Sequence, residues 1–385
     1  MPAFFNDFFR YLWDGKMTVN GINPYLYFPF AVHETPELAH LSNVWYWDIM
    51  YFRWTHAIYP PVSQIVFAMA ALVKQDSTLV LKSLFFLFNC GSIFLGNQLL
   101  KQFQKPKTFL LLVALCPLFL FETLASAHTE AIHVFFLLLT LWFVTKNKPV
   151  WSGISLGALA LVKFFPLVYF PFLFLHFLSK QKNLRPPLLF SLAFAVTIVV
   201  LYYPFTLGVP SELLFESLSA FSQNWVLSPG LFDVIWTHLF NGTAQGYLLA
   251  KRTTTVITLL LWTLTFFVSA RYAKQCHKHL EKNTCLALYA VTLILILFSS
   301  VIASWYILWI LPFVLLIEKK WPVIIACVAF TLQYLLIYYD GEEHNTYKYL
   351  SNGDILGSQL FIWAPILLGL FWAYRKHFLS LWKKH

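Results

Sequence analysis

The stretch WSGISLGALALVKFFPLVYFPFLFLHFL, residues 151–178, contains one Lys or Arg, Lys163, and no acid in its 28 residues. A helix needs about 20 consecutive apolar residues to cross the hydrocarbon core of a bilayer. Pro166 lacks a backbone N–H and breaks a helix that runs into it. We therefore interpret this stretch as an out-and-back pair of membrane segments that turns near Lys163.

The rest of the chain has the same apolar character. Hydrophobic residues make up 59% of the 385 residues and charged residues only 11%, whereas a soluble domain carries about 25% charged residues. The sequence therefore predicts an all-α, polytopic membrane helix bundle with about 10–11 spans. The further apolar segments lie near residues 78–100, 108–124, 129–145, 187–204, 253–271, 285–300, 303–317, 322–338 and 358–375.

The distribution of Lys and Arg predicts the orientation of the bundle. With the segments threaded alternately and the C-terminus inside, one side collects 18 of the 27 Lys and Arg but only two of the 17 acids. An excess of Lys and Arg in short loops marks the cytoplasmic side. Residues 1–77 then lie outside, and we expect a first transmembrane helix, missing from this chain, to carry them across.

This topology divides the chain into an extracytoplasmic first loop, 1–77, and a transmembrane bundle, 78–385, with a second outer loop at about 205–252. Residues 62–74 are apolar but too short to span, and we expect a helix on the membrane surface there. The net charge of +10 comes from the cytoplasmic side, so no nucleic-acid partner is predicted. The sequence contains no G-x-x-x-x-G-K-[ST] or G-x-G-x-x-G, which argues against an ATP-driven pump.

The first loop opens with charged groups among aromatic side chains. Asp7, Arg10 and Asp14 are spaced so that a helix would place all three on one face. Such a face suits an ionised carboxylate acting as general base, with an arginine and a second carboxylate shaping its field. A solvated amphipathic helix has the same spacing, and the residues alone leave both interpretations open.

A second polar group, FETLASAHTEAIHVFF, falls at the outer junction of two predicted spans and contains Glu122, His128, Glu130 and His133. Ionisable groups at membrane depth usually face a polar cavity. We favour that interpretation over helix ends that reach interfacial water. A metal site is the weaker alternative, because no third-ligand pattern supports it, and none is predicted.

Lys163 is the residue whose position in the sequence points most clearly to a functional role. A lysine within an apolar stretch needs an anion or an aqueous route, and the free N–H groups of a broken helix favour phosphate. The alternative is a lysine whose stem reaches from a helix hairpin to the outer headgroups.

Aromatic residues form a third group of candidates. Trp305, Tyr306 and Trp309 lie in SSVIASWYILWILPF at a predicted outer helix mouth. An interfacial aromatic belt is the more common meaning of such residues, and a sugar-stacking platform is the alternative. The outer-loop stretch FSQNWVLSPGLFDVIW contains Trp225 without a decisive pattern.

Several of these motifs together resemble a known family. The blocks D-F-F-R-Y-L-W-D-G (7–15), N-G-I-N-P-Y (20–25) and I-Y-P-P (58–61) resemble the first outer loop of bacterial integral-membrane mannosyltransferases. These enzymes belong to the GT-C glycosyltransferase superfamily and use polyprenyl-phosphate sugar donors. The K-x-x-P at 163–166 is also similar to eukaryotic GPI-anchor mannosyltransferase catalytic subunits. The resemblance covers nearly the whole chain, and its later motifs follow in order at 122–130, 162–166, 221–225 and 304–312.

The resemblance implies roles for individual residues. Asp7 matches the first-loop aspartate that serves as catalytic base in the family. The donor phosphate is expected to contact Lys163, Arg10 and His128. The remaining substrate contacts are expected from Asp14, Tyr59, Glu130, Trp225, Trp305 and Tyr306.

The chain departs from the family pattern at two places. Asn6 stands where many relatives have a second acid beside the catalytic aspartate. Residues 127–130 read A-H-T-E where relatives often have G-H-N-D, which indicates a different sugar or acceptor contact.

The expected activity is transfer of a hexose, mannose by the resemblance, from a polyprenyl-phosphate sugar to a lipid-linked or cell-envelope glycan. We expect it on the extracytoplasmic face of a bacterial cytoplasmic membrane, with inversion and without a metal or other cofactor. A lipid or glycan transporter is a rival, although the inverted repeats that would favour it are not found. A polymerase or ligase of lipid-linked glycans, with pyrophosphate-linked donors, is a third possibility.

Overall fold

The computed structural model describes residues 7–181, 183–226, 230–275, 279–317, 320–339 and 363–368. These residues form helices and turns, with no β-strand among them, which confirms the predicted all-α membrane bundle. The first α-helices are α1 (Asp7–Val19), α2 (Pro29–Glu34), α3 (Pro61–Val73), α4 (Thr78–Gln102), α5 (Phe109–Ala114), α6 (Pro117–Leu120), α7 (Glu130–Thr145) and α8 (Pro149–Ala160). The later ones are α9 (Phe170–Gln181), α10 (Arg185–Thr206), α11 (Ser211–Leu214), α12 (Glu216–Asn224), α13 (Leu231–Val234), α14 (Ala244–Gln275), α15 (Leu280–Phe298) and α16 (Trp321–Tyr339).

Four helices in the described residues are long and apolar enough to cross a membrane: Thr78–Gln102, Arg185–Thr206, Ala244–Lys274 and Leu280–Phe298. A fifth candidate is the pair Pro117–Ala125 and Glu130–Thr145, which is bent by 119°. Five shorter apolar helices accompany them, so the predicted total of about 10–11 spans stays a prediction.

Two predicted apolar segments differ from a continuous span. Segment 108–124 is divided into α5, α6 and a π-helical turn at Phe121–Ala125. Segment 303–317 contains two short 3₁₀-helices, Ser304–Trp309 and Leu311–Leu315. Prolines explain both breaks: Pro117 and Pro312 have no N–H to donate to a preceding turn, so each lies in the first turn of a new helical piece.

The predicted surface helix at 62–74 is present as α3, one residue earlier at both ends. Pro60 precedes it and Pro61 occupies its first turn, where a proline is preorganised for a helix and loses no hydrogen bond. Its depth in the bilayer, and the division into a first loop 1–77 and a bundle 78–385, stay predictions.

The chain forms two compact units. The first unit contains Met1–Leu95 and Phe121–Asn224, and the second contains Gly96–Leu120 and Trp225–His385. In the second unit, α14 packs on α15, and α16 packs on α6.

In the first unit, α8 packs closely on α10 because two glycines face that helix. An added Cβ at Gly153 would lie 2.3 Å from the Phe190 carbonyl oxygen, and one at Gly157 would lie 2.9 Å from Thr197 Cβ. Small residues four apart let membrane helices approach closely, and the many van der Waals contacts hold the pair together.

Helix α1 packs on α3 at a similar close approach. An added Cβ at Gly15 would lie 2.3 Å from the carbonyl oxygen of Phe67. Phe9, Trp13 and Met17 on α1 are fully buried. Arg10 and Asp14 are buried as well, which excludes the solvated charged face that their spacing alone left open.

We predict that Gly15→Ala lowers the stability of the first unit. Alanine normally stabilises the middle of a helix relative to glycine, but here its methyl group must push α1 away from a backbone atom. Overpacking of this kind costs about 1–3 kcal/mol. Thermal unfolding of the purified protein in detergent measures it, and a raised midpoint would contradict the tight α1–α3 contact.

Candidate active site

Asp7 is the first residue of α1, and its carboxylate lies beside a buried histidine. Asp7 Oδ2 is 3.7 Å from His128 Nε2, and the Asp7 side chain keeps 21% of its surface exposed. The packing of α1 on α3 therefore brings the predicted catalytic base to a partly open position next to the second polar group.

His128 lies in the sharp bend between the π-helical turn and α7. Its backbone N–H donates to the Glu122 carbonyl at 2.8 Å, and its Nδ1 lies 2.9 Å from Glu122 Oε2. Ala127 just before it has φ +55°, in the left-handed region, which turns the chain back sharply. Glu122 and His128 are fully buried, so they do not reach interfacial water as isolated helix-end residues would.

Helix α4 holds this bend from the outside. Lys82 Nζ donates to the Ala125 carbonyl at 2.7 Å, and Asn89 Nδ2 donates to Thr123 Oγ1 at 2.8 Å. Both bonds satisfy groups that the irregular backbone and buried hydroxyl would otherwise leave without a partner. The bend is therefore braced by side chains as well as by its own backbone.

Lys163 follows the C-terminal end of α8. The Val62 N–H donates to the Leu161 carbonyl at 2.9 Å, and Ser63 Oγ donates to the Val162 carbonyl at 3.0 Å. A helix start has N–H groups without intrahelical partners, and a helix end has carbonyls without them. The start of α3 thus caps the end of α8 and sets the position of Lys163.

The ammonium group of Lys163 forms an ion pair with Glu130, the first residue of α7. Glu130 is fully buried, and the Lys163 side chain is 13% exposed. Lys163 Nζ also lies 5.7 Å from the centre of the Tyr59 ring. Lys163 therefore faces protein groups in the interior of the first unit rather than extending alone toward headgroups.

Tyr11 links the two sides of this region. Its hydroxyl is 2.8 Å from that of Tyr59, and its ring stacks on Phe67 at 4.6 Å. Burial raises the pKa of Tyr11 well above its usual value, and the negative charges of Asp7 and Glu130 add to the effect. Tyr11 therefore stays a neutral hydroxyl between the acids.

These contacts define what we call the polar cluster, which is built from α1, the 58–61 turn, the 121–130 bend and the end of α8. Its members are Asp7, Tyr11, Tyr59, Glu122, His128, Glu130 and Lys163.

Arg10 and Asp14 form a separate ion pair on α1. Arg10 Nε donates to Asp14 Oδ1 at 2.7 Å, and its Nη1 donates to the carbonyls of Phe52 and Thr55 at 2.6 and 2.8 Å. Asp14 also accepts from Gln64 Nε2 at 3.2 Å. Burial raises the pKa of Asp14, although Arg10 and Gln64 act in the opposite direction.

The Arg10 bonds attach residues 52–55 to α1, just before the segment that carries Tyr59. These two bonds from a buried arginine support the loop through its backbone carbonyls. The predicted contacts of Arg10 with donor phosphate and of Asp14 with substrate stay predictions.

The predicted aromatic contacts Trp225, Trp305 and Tyr306 belong to the second unit. The Trp225 carbonyl accepts from the Tyr247 hydroxyl at 3.2 Å. Trp305 is buried, and Tyr306 stacks on Trp309 with 4.2 Å between ring centres. Their contacts with a sugar stay predictions.

Two members of the polar cluster, Tyr11 and Glu122, have no role that the sequence predicts. Tyr11 lies four residues after Asp7, one helical turn further along the same face, and this spacing was available in the sequence. Glu122 was noted as an ionisable group in its stretch, but its pairing with His128 depends on the bend at Ala127.

The polar cluster contains groups suited to acid–base chemistry and to binding an anion. A partly exposed carboxylate, Asp7, can accept a proton, and the nearby lysine carries a positive charge in a region of low polarity. Among the described residues, no group of three or more His, Cys, Asp or Glu is arranged to hold a metal ion.

A buried polar cluster in an all-α membrane bundle suits a membrane enzyme. Residues 1–179 match the sequence model of the MptA_B family, described as alpha-(1->6)-mannopyranosyltransferase, N-terminal domain. The matched range includes the whole polar cluster. The match supports a mannosyltransferase of the GT-C type, in agreement with the predicted glycosyltransferase activity. No curated protein matches the chain.

Proposed function

We propose that this mannosyltransferase takes its sugar from a polyprenyl-phosphate donor and passes it to a hydroxyl of a lipid-linked or cell-envelope glycan. One observation carries the proposal. A partly exposed carboxylate, Asp7, and an ion-paired lysine, Lys163, belong to one polar cluster within the matched mannosyltransferase region.

The reaction requires a base for the acceptor. The acceptor oxygen attacks C1 of the sugar, the bond from C1 to the phosphate oxygen breaks, and the hydroxyl proton passes to Asp7. Attack from the face opposite the phosphate inverts the anomeric centre. Proton transfer to a placed base contributes about 10²–10⁴-fold to such a rate.

The reaction also requires charge stabilisation at the leaving group. The lipid phosphate gains negative charge as the bond to C1 breaks, and Lys163 is the cation of the cluster beside Tyr59. Glu130 orients the lysine, whose ammonium has three N–H donors and can serve a phosphate oxygen as well. Preorganised charge at the atom where charge develops is often the largest single contribution to catalysis.

We further propose an extracytoplasmic site on a bacterial cytoplasmic membrane. Two-thirds of the Lys and Arg, 18 of 27, fall on the opposite side of the threaded chain, which is the side that the positive-inside rule assigns to the cytoplasm. Lipid-phosphate donors present their sugar at a membrane face, where the first loop would meet it.

The test supplies the purified protein in lipid nanodiscs with radiolabelled polyprenyl-phosphate mannose or GDP-mannose and a lipid-glycan extract as acceptor. We expect label in the acceptor only from the lipid donor. Transfer from GDP-mannose alone would overturn the proposed donor. Activity only with pyrophosphate-linked glycans would favour the polymerase or ligase, and movement of the donor across the membrane without transfer would favour a transporter.

We predict that EDTA leaves this transfer unchanged. The donor carries one phosphate, and Lys163 supplies the positive charge that a metal ion supplies for nucleotide diphosphates. Initial rates are compared after dialysis against EDTA and after addition of Mg²⁺ or Mn²⁺. Loss of transfer in EDTA that is restored by one of these ions would contradict the lysine assignment.

A further inference from the structure

His128 lies between two carboxylates. Its Nδ1 is 2.9 Å from Glu122 Oε2, and its Nε2 is 3.7 Å from Asp7 Oδ2. Glu122 and His128 are fully buried, whereas Asp7 is partly exposed. The three groups thus form a line that runs from Glu122 in the protein interior, through His128, to Asp7. Of the two carboxylates in this line, Asp7 is the one that a substrate can reach.

The position of the imidazole is fixed by more than one contact. The His128 N–H donates to the Glu122 carbonyl at 2.8 Å, so backbone and side chain of the same glutamate hold the histidine. Lys82 braces the adjoining Ala125 carbonyl from α4. A buried carboxylate that orients one ring nitrogen determines what the other nitrogen presents to its neighbour.

We propose that His128, oriented by Glu122, is a positioning residue for Asp7 rather than a ligand of the donor phosphate. As an imidazolium, the ring directs its Nδ1–H toward Glu122 and its Nε2–H toward Asp7. It thereby fixes the orientation of the Asp7 carboxylate and leaves the second carboxylate oxygen, Oδ1, for the acceptor hydroxyl. The assignment rests on the proposed role of Asp7 as base.

The charges around this line favour the arrangement. A single imidazolium between two carboxylates offsets one of their two negative charges in surroundings of low polarity, where uncompensated charge is costly, and the carboxylate that is partly exposed is Asp7. Lys163 is paired with Glu130 in the resting protein. Other titratable groups on the surrounding elements include Tyr11, Arg10, Asp14 and Lys16 on α1, Tyr59 before α3, Lys82 on α4 and His133 on α7.

The test compares the pH dependence of transfer in wild type, His128→Gln and Glu122→Gln. Loss of the positive charge beside the proposed base should raise the pH at which activity falls on the acid side of the profile. We expect this pH to rise in His128→Gln and to rise by a smaller amount in Glu122→Gln. Both variants should have a lower kcat and an unchanged KM for the donor.

The matched control is His176→Gln, the same substitution at another buried histidine, on α9 of the first unit. This variant loses a buried imidazole but leaves Glu122, His128 and Asp7 intact. The acid side of its pH profile should therefore match that of the wild type. The proposal would be overturned if His128→Gln raised the KM for the donor and left the acid side of the pH profile unchanged. That result would assign His128 to binding of the donor phosphate.

A second measurement does not depend on transfer. In NMR spectra of protein labelled with ¹⁵N-histidine, the ring signals of His128 are those that the wild type shows and the His128→Gln variant lacks. We expect imidazolium shifts at neutral pH in wild type and a change in them in Asp7→Asn. The positioning role would be overturned if the chemical shifts of His128 were those of a neutral imidazole and did not change in Asp7→Asn. Failure of wild type to use the lipid donor would instead overturn only the proposed function.

Discussion

Asp7→Asn lowers the rate of mannosyl transfer by about 10²–10⁴-fold, because the amide cannot accept the acceptor proton. The substitution keeps the size and shape of the side chain. It removes the negative charge beside His128 but leaves the packing of α1 on α3 intact. The loss should appear in kcat with saturating donor and acceptor, measured in nanodiscs.

Two other aspartates of the first loop serve as controls for this result. Asp48 has a side chain that is 97% exposed, and Asp48→Asn should transfer at the wild-type rate. Asp14→Asn weakens the buried pair with Arg10, so it should lower the unfolding temperature as well as the activity. Transfer by Asp7→Asn at the rate of Asp48→Asn would show that the base lies elsewhere.

Lys163→Ala lowers kcat/KM by about 10²–10³-fold, the cost of losing one charge donor to a developing anion. The same change leaves Glu130 buried without its cation. Breaking a buried pair in this way costs about 3–5 kcal/mol of stability. Activity and unfolding temperature must therefore be measured together.

The double variant Lys163→Ala, Glu130→Gln separates these two effects. Removing both charges should restore much of the unfolding temperature, since no uncompensated charge remains, while transfer stays low. Lys74, which is exposed at the end of α3, provides the control Lys74→Ala. Recovery of transfer in the double variant would mean that Lys163 serves only to neutralise Glu130.

The helices were largely predictable from the sequence. Long apolar runs predicted α4, α10 and α15 because burying apolar side chains in lipid while bonding the backbone internally leaves helices as the solution. The double proline at 60–61 marked the start of α3, and Pro166 marked the break after α8. Pro117 and Pro312 mark two further breaks in the same way. Both prolines lie in runs of uniformly high hydrophobicity, and such runs predict continuous spans.

The candidate site was predictable in its parts. Helical spacing linked Asp7 with the charged residues that follow it, and the isolation of Lys163 in apolar sequence marked it as unusual. The same spacing did not distinguish Tyr11, which faces the polar cluster, from Arg10, which attaches residues 52–55 to α1. That difference depends on what packs against each side of α1.

The amino-acid pattern alone predicts a membrane helix bundle, the positions of most helices and the charged residues that membrane burial makes costly. Which of those charges meet depends on tertiary packing. Glu130 pairs with Lys163 across 33 positions, and His128 turns toward Asp7 because Ala127 adopts a left-handed conformation. Spacing along one helix is fixed by its geometry, whereas contacts between distant segments depend on how whole helices pack, and a local pattern carries no record of that packing.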